Sequence, residues 1–194
     1  PSLDGEAYIA VDVSEEMRLG ALSGLFSKAK KIKFNIDHHI SNTRFGDYYY
    51  VNECAANCEN IATLADALGV EIDEHTANCI LLGISSDSGN FAHKNVTENT
   101  FLTAAKLTKC GAEIYPIQYN MFKKQSRPRA LLFGRTMSNI RYFYDNRIAL
   151  ISVEKKTLEE CGATSDVTEG FIDFPLSVDG VEVAACLLET KPHV

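Results

Sequence analysis

Two short apolar runs, each leading into an aspartate, constrain the fold of this chain more than any other feature. Tyr8-Ile9-Ala10-Val11-Asp12-Val13 is apolar and rich in β-branched residues, the pattern of a strand buried on both faces. Lys31-Ile32-Lys33-Phe34 alternates polar and apolar and runs on into Asn35-Ile36-Asp37-His38-His39. Between them, Ser14 is a candidate N-cap, and Glu15 and Glu16 suit the first turn of a helix expected over 15–26. Strand, helix and strand at this spacing form one βαβ unit, with parallel strands and a right-handed crossover. Asp12 and Asp37 then stand at the carboxyl ends of neighbouring strands, where open α/β sheets place their ligands.

Asp37-His38-His39 offers one carboxylate and two imidazoles in consecutive positions, a donor mixture suited to Mn²⁺, Fe²⁺, Co²⁺ or Zn²⁺. A polar surface turn would account for His-His on its own. Asp12 on its own could cap a helix, a role that Ser14 fills better. A third carboxylate, Asp87, lies in Leu81-Leu82-Gly83-Ile84-Ser85-Ser86-Asp87-Ser88-Gly89-Asn90-Phe91. The preceding pattern predicts a helix over about 74–85, capped by Asp73. A carboxylate at its far end faces the negative pole of the helix dipole, an unfavourable place unless a cation compensates.

These motifs resemble the DHH phosphoesterase superfamily: Asp12, Asp37-His38-His39 and Asp87 look like its second, third and fourth motifs. Ser41-Asn42-Thr43-Arg44-Phe45-Gly46-Asp47 most resembles the nano-RNase/pAp phosphatase (RecJ-like) branch. Ser126-Arg127-Pro128-Arg129 to Arg135 is similar to the linker helix. Thr168-Glu169-Gly170-Phe171 and Gly180-Val181-Glu182-Val183-Ala184 look like the start of the DHH-associated domain. The resemblance implies an α/β fold: a parallel-sheet DHH domain with helices on both faces (1–115), a helical linker (116–139) and part of a smaller α+β substrate-binding domain (140–194). The superfamily's first motif and its Gly-Gly-Gly-His segment are not found in the sequence, so an internal fragment of a longer protein is expected.

The activity implied is hydrolysis of phosphate esters of short oligonucleotides or small nucleotides such as pAp by two divalent metals, Mn²⁺ first, with Mg²⁺ or Co²⁺ as alternatives. Asp12, His38 and Asp87 would be metal ligands, and Asp37 and His39 catalytic, with Asp37 orienting an imidazole. Asn42, His39 and Arg135 would meet substrate. The chain alone is expected to hold at most one metal well and to be nearly inactive. Other outcomes stay open: a non-catalytic nucleotide-sensing module, a cyclic-dinucleotide phosphodiesterase or an inorganic polyphosphatase of the same superfamily. An NAD-linked oxidoreductase would fit the βαβ unit, but no G-x-G-x-x-G follows the first strand.

Composition narrows the classes further. The formal charge of −7 over 194 residues argues against a general nucleic-acid coat protein, but not against a short nucleotide held by cations. No run approaches the length of a membrane span. Six cysteines without a disulfide-scaffold spacing read as small buried thiols in a reducing cytoplasm, although Cys54 and Cys58 could share a helix face. A homodimer is compatible with this reading.

Elsewhere, Phe45 to Val51 predicts a strand whose three tyrosines either pack on an adjacent layer or stack on bases. A helix over 55–68 with an Ile61, Leu64, Ala65, Leu68 stripe ends at Gly69, and another, capped by Thr97 or Asn95, runs through Leu107. His75 and His93 read as exposed, His93 as at most a substrate contact. Lys123, Lys124, Arg127, Arg129 and Arg135 form a basic stretch that is either a solvated helix face or a phosphate contact. Then come a hairpin over 141–153 turning at Asp145-Asn146, short helices at 157–161 and 167–174, and a strand over 181–188.

Overall fold

The structure, a computed structural model, describes residues 5–189. Two compact units divide the chain, one up to Lys123 and one from Lys124 onward. The outer limits of the expected domains, at 1 and 194, lie outside the described residues.

In the first unit, β1 (Ala7–Val11), β2 (Ile32–Asp37) and β3 (Tyr48–Val51) form a parallel sheet in the order β1-β2-β3. The register sets Val11 beside Ile36 and Ile36 beside Tyr50, so β1 and β2 end level with one another. The α/β class and the parallel sheet are as the sequence predicts. The segment between β1 and β2 is not one helix: a 3-10 stretch, Glu16–Leu22, precedes the short α1 (Ser23–Lys28). Gly20, at φ 58°, breaks the helical path in a backbone region that suits glycine. Ser14 does not cap it; buried, it lends its carbonyl to the Thr43 N–H at 2.8 Å and the Thr43 hydroxyl at 3.2 Å.

Alternate strand positions share one face, and on one of them Ile9, Val11, Ile32, Tyr48 and Tyr50 are all exposed. β1 is therefore an edge strand open on one face among the described residues, rather than a strand buried on both. Tyr48 stacks on Phe34 (5.5 Å between centroids) and the Arg44 guanidinium lies over Tyr49, while both rings stay exposed rather than packing under another layer.

The other side is built by helices. α2 (Asn57–Ala67), α3 (Glu74–Asp87) and α4 (Glu98–Lys109) bury Ala62, Ala77, Ile80, Leu81, Ile84, Ala104 and Leu107 in a common core. Asp73 caps α3 by accepting from the Thr76 N–H at 2.8 Å, and Thr97 with Thr100 forms a capping box at α4. Gly83 is the close-approach point between α2 and α3, since a Cβ there would run into the Cys58 sulfur. α5 (Ile114–Gln118) and a π-helical turn, Tyr119–Lys123, complete the unit.

In the second unit α6 (Arg127–Met137) begins at Ser126, whose hydroxyl accepts from the Arg129 N–H. β4 (Arg141–Phe143) and β5 (Ile148–Val153) pair antiparallel, and β6 (Val183–Leu188) adds to β5 in parallel. α7 (Lys155–Cys161) packs with α6 around a core of Leu132, Ile151, Val153, Leu158 and Phe171. The helix expected over 167–174 is a 3-10 turn, Ser165–Thr168, and the short α8 (Asp173–Leu176), separated at Gly170, φ 75°. Arg129 clasps that turn, donating to the carbonyls of Val167 and Glu169 at 3.2 and 2.9 Å while lying over the Phe171 ring.

Candidate metal centre

Three elements of the first unit deliver the site. β1 ends at Val11, and Asp12 follows in a left-handed conformation (φ 58°), its N–H bonded to the Ile36 carbonyl at 3.0 Å. β2 ends with Asp37, and the chain turns at once through His38 and His39. α3 ends with Asp87, where the buried Ser88 returns its hydroxyl to the Ile84 carbonyl at 2.6 Å and stops the helix. Gly89 sits at φ 55° with the His93 ring against it, so both backbone and space require glycine there. His93, exposed, places Nδ1 3.1 Å from the Asp87 carbonyl.

These side chains converge. His38 Nε2 lies 3.3 Å from Asp12 Oδ1 and 3.9 Å from Asp87 Oδ2. His39 Nδ1 lies 2.7 Å from Asp37 Oδ1 and 3.9 Å from Asp12 Oδ1. Among the described residues, the ion-pair partners of Asp12, Asp37 and Asp87 are these two histidines. Two donors of one cation stand about 3–4 Å apart, given bonds of about 2.0–2.2 Å, and the His38–Asp12 and His38–Asp87 separations fall in that range.

The four side chains Asp12, Asp37, His38 and His39 have donor atoms within 4.8 Å of one another. They are not equivalent. Asp37 has no exposed surface, and its two oxygens are taken by His39 Nδ1 and by the Asn42 amide at 2.5 Å. It orients its neighbours and has no open face toward a cation. Asp12 is half-exposed and Asp87 about a third exposed, both accessible at the mouth of the site. His38 Nε2 thus faces the two accessible carboxylates, Asp12 and Asp87, while Asp37 stands behind His39.

Tautomers follow from the partners. The Cys54 carbonyl, 3.0 Å from His38 Nδ1, can only accept, so Nδ1 carries the proton and Nε2 presents a lone pair toward Asp12 and Asp87. Asp37 fixes the proton of His39 on Nδ1 in the same way, freeing its Nε2. Burial pushes the Asp37 carboxyl up, but hydrogen bonds from Asn42 and His39 outweigh this and hold it below its ordinary value. Asp87 is raised, by burial first and then by the charge of Asp12, with His38 and His39 offsetting part of the effect. Two carboxylates that repel across an imidazole lone pair are what a bound cation would relieve.

Asn42, expected at the substrate, is spent within the loop. Its amide donates to Asp37, Asn35 and the Val13 carbonyl, and its oxygen accepts from the Arg44 N–H. Arg135 belongs to the second unit, where its guanidinium holds Glu160 Oε2 at 2.5 Å.

Sequence reasoning missed the inward face of α2. It is polar, with Asn57, Glu59 and Asn60 nearly or wholly buried, while Leu68 of the expected stripe is exposed. The Asn57 amide donates to the Ile36 carbonyl at 3.0 Å, and that of Asn60 to the Asp37 carbonyl at 3.1 Å. These bonds clamp the end of β2 where the triplet begins. The i, i+3 spacing of the two asparagines was the available signal.

Fold and site together define an α/β protein with a carboxylate–imidazole metal-type cluster at the carboxyl ends of a parallel sheet. The chain is similar to NrnA proteins over nearly all of its length. It is 28% identical over 193 residues to the bifunctional oligoribonuclease and PAP phosphatase NrnA of Thermus thermophilus, covering 98% of this chain and 56% of that protein. The corresponding Bacillus subtilis protein is 26% identical over 98% of this chain and 61% of its own length. The chain thus spans a little over half the length of these curated relatives. Among solved structures, an exopolyphosphatase-related protein from Bacteroides fragilis shares the fold at a TM-score of 0.85 and 24% identity, over 92% of this chain and 53% of that one. A putative family II inorganic pyrophosphatase of Methanococcus jannaschii gives 0.53 and 22%, over 95% of this chain and 64% of that one. No family model matches the chain.

Proposed function

We propose that this chain carries a metal centre of a divalent-metal-dependent phosphoesterase that hydrolyses phosphate ester bonds of short oligonucleotides or of small nucleotides such as pAp. The observation that carries the reading is the meeting of His38 Nε2 with Asp12 and Asp87, from three elements, with no lysine or arginine paired to either carboxylate among the described residues. The names of the NrnA relatives support the substrate class.

Asp12, His38 and Asp87 would hold the cation, with Mn²⁺ the first choice for this mixed oxygen and nitrogen set and Mg²⁺ or Co²⁺ the alternatives. When bound, it would polarise a phosphoryl oxygen and lower the pKa of a bound water. Asp37 keeps the His39 proton on Nδ1, so Nε2, on a partly exposed ring, presents a lone pair that can take up a proton and, once protonated, donate to a phosphate oxygen or pass the proton to the leaving oxygen. Burial of Asp37 makes this orientation rigid. Arg135, to serve as a substrate contact, would have to exchange Glu160 for phosphate. A second cation would need donors beyond those of this set. The two units would act as the DHH domain and part of the substrate-binding domain, in a cytoplasmic enzyme; among the described residues no helix is long and apolar enough to cross a membrane.

Titration calorimetry with Mn²⁺ on the chain and on His38→Ala tests the centre, and phosphate release from pAp and cleavage of a dinucleotide, with pyrophosphate as comparison, test the substrate. One Mn²⁺ bound by the wild type and none by His38→Ala is expected, with nucleotide preferred over pyrophosphate. Failure of the wild-type chain to take up Mn²⁺ would overturn the reading.

A further inference from the structure

The buried carboxylate of Glu59 has no place in the mechanism above. It is 1% exposed, yet among the described residues no cation pairs with it, and its three partners donate to it. Oε1 accepts from the Ala55 N–H at 3.1 Å and the Thr100 hydroxyl at 3.0 Å, and Oε2 from the Asn99 amide at 3.0 Å. The Thr100 oxygen accepts from the Thr97 N–H, leaving its proton for Glu59. That is the pattern an ionised carboxylate takes, and such a group, buried, is costly unless something is gained from it.

The Ala55 N–H and the Cys54 carbonyl belong to a single peptide group. Glu59 accepts at one end of that group, and His38 Nδ1 donates at the other, at 3.0 Å. Negative charge at the N–H polarises the amide and makes its carbonyl oxygen a stronger acceptor. A stronger acceptor at Nδ1 fixes the tautomer of the imidazole and makes Nε2 a better electron-pair donor, as a carboxylate bonded directly to a ligating histidine does. Here the peptide stands between them.

We propose that Glu59 is a positioning residue for the metal centre, acting through the Cys54–Ala55 peptide to hold the proton of His38 on Nδ1 and to strengthen Nε2 as a ligand. The inference rests on the reading of His38 as a metal ligand for its consequence, but not for its structural content. The Asn99 and Thr100 partners extend the same line to α4, so the carboxylate ties α2 and α4 to the loop that addresses His38.

Two measurements on the full chain separate the parts. In metal-free wild type, ¹⁵N-resolved NMR of the histidine rings should find His38 in the Nδ1-protonated form, whereas an Nε2-protonated ring would overturn the proposal without any variant. In Glu59→Gln, nearly the same shape without the charge, the His38 Nδ1–H resonance should shift as its hydrogen bond weakens. Affinity for Mn²⁺ by calorimetry should fall about tenfold to a hundredfold. Unchanged Nδ1–H and Mn²⁺ affinity in a folded Glu59→Gln would overturn it. If wild type binds no Mn²⁺, the metal reading fails, and the two NMR results still decide whether Glu59 reaches His38.

Discussion

Asp37 Oδ1 lies 2.7 Å from His39 Nδ1, and this carboxylate, without any exposed surface, is the fixed point from which the exposed part of the site is oriented. Its other oxygen holds Asn42, which in turn reaches the Val13 carbonyl of the loop after β1. One side chain thereby joins both strand ends. Asp37→Ala should take the buried acceptor away from the His39 ring and the Asn42 amide and cost about 1–3 kcal/mol in urea unfolding.

The same carboxylate gives a pH dependence with a definite sign. Its folded pKa lies below its ordinary value, about 3.9. The stability it contributes is complete above the unfolded value and is lost as pH falls through the folded one. The stability gap between wild type and Asp37→Asn should therefore narrow between pH 5 and pH 2. A gap that stays constant over that range, by urea titration, would contradict the assignment.

Asp12→Asn should trade stability against metal affinity. Asp87 is raised partly by the charge of Asp12, and a carboxyl raised in the fold costs stability at pH above its unfolded value. Removing that charge should leave metal-free stability equal or up to about 1 kcal/mol higher at pH 7, the limit for partly exposed charges. Mn²⁺ affinity should drop by more than about a hundredfold, with a ligand gone. Thermal melts with and without Mn²⁺ read both effects together.

Gly83→Ala should destabilise by about 1–3 kcal/mol, because the added methyl meets the Cys58 sulfur where α2 crosses α3. Cys58→Ala in the same chain should recover most of the loss. A double-mutant cycle showing simple additivity would refute the contact.

Thiol reactivity should sort the cysteines by environment. Burial, aided by the charge of Glu59, pushes Cys54 up to about 11. Burial, aided by Asp87 and Asp12, does the same for Cys58. At pH 8 both should carry on the order of a hundredfold less thiolate than an ordinary cysteine, so exposed Cys79 should be alkylated first by iodoacetamide, as mass spectrometry would show. Mn²⁺ should speed Cys58 more than Cys54, since only the former feels the two site carboxylates.

What the sequence makes legible is what side-chain identity and period encode. Asp12 and Asp37 at strand ends, Asp87 at a helix end, and the caps at Asp73, Thr97 and Ser126 all follow from local patterns. The breaks at Gly20 and Gly170 do not, because an isolated glycine is compatible with a continuing helix until its φ is known. Hydropathy points the α2 stripe toward Leu68, whereas burial favours Asn57, Glu59 and Asn60, whose hydrogen bonds repay their desolvation. The Cys54 carbonyl, which sets the tautomer of His38, belongs to the backbone and leaves no mark in the sequence at all.

The left-handed backbone at Asp12 limits how this position can change. Among side chains, asparagine and aspartate enter that region at modest cost, and glycine enters it freely. Any other uncharged residue at position 12 would be penalised twice, once in folding and once in charge, so random variation there should surface as poorly folded protein before it surfaces as altered chemistry. Asparagine is the replacement that lets the two losses be told apart.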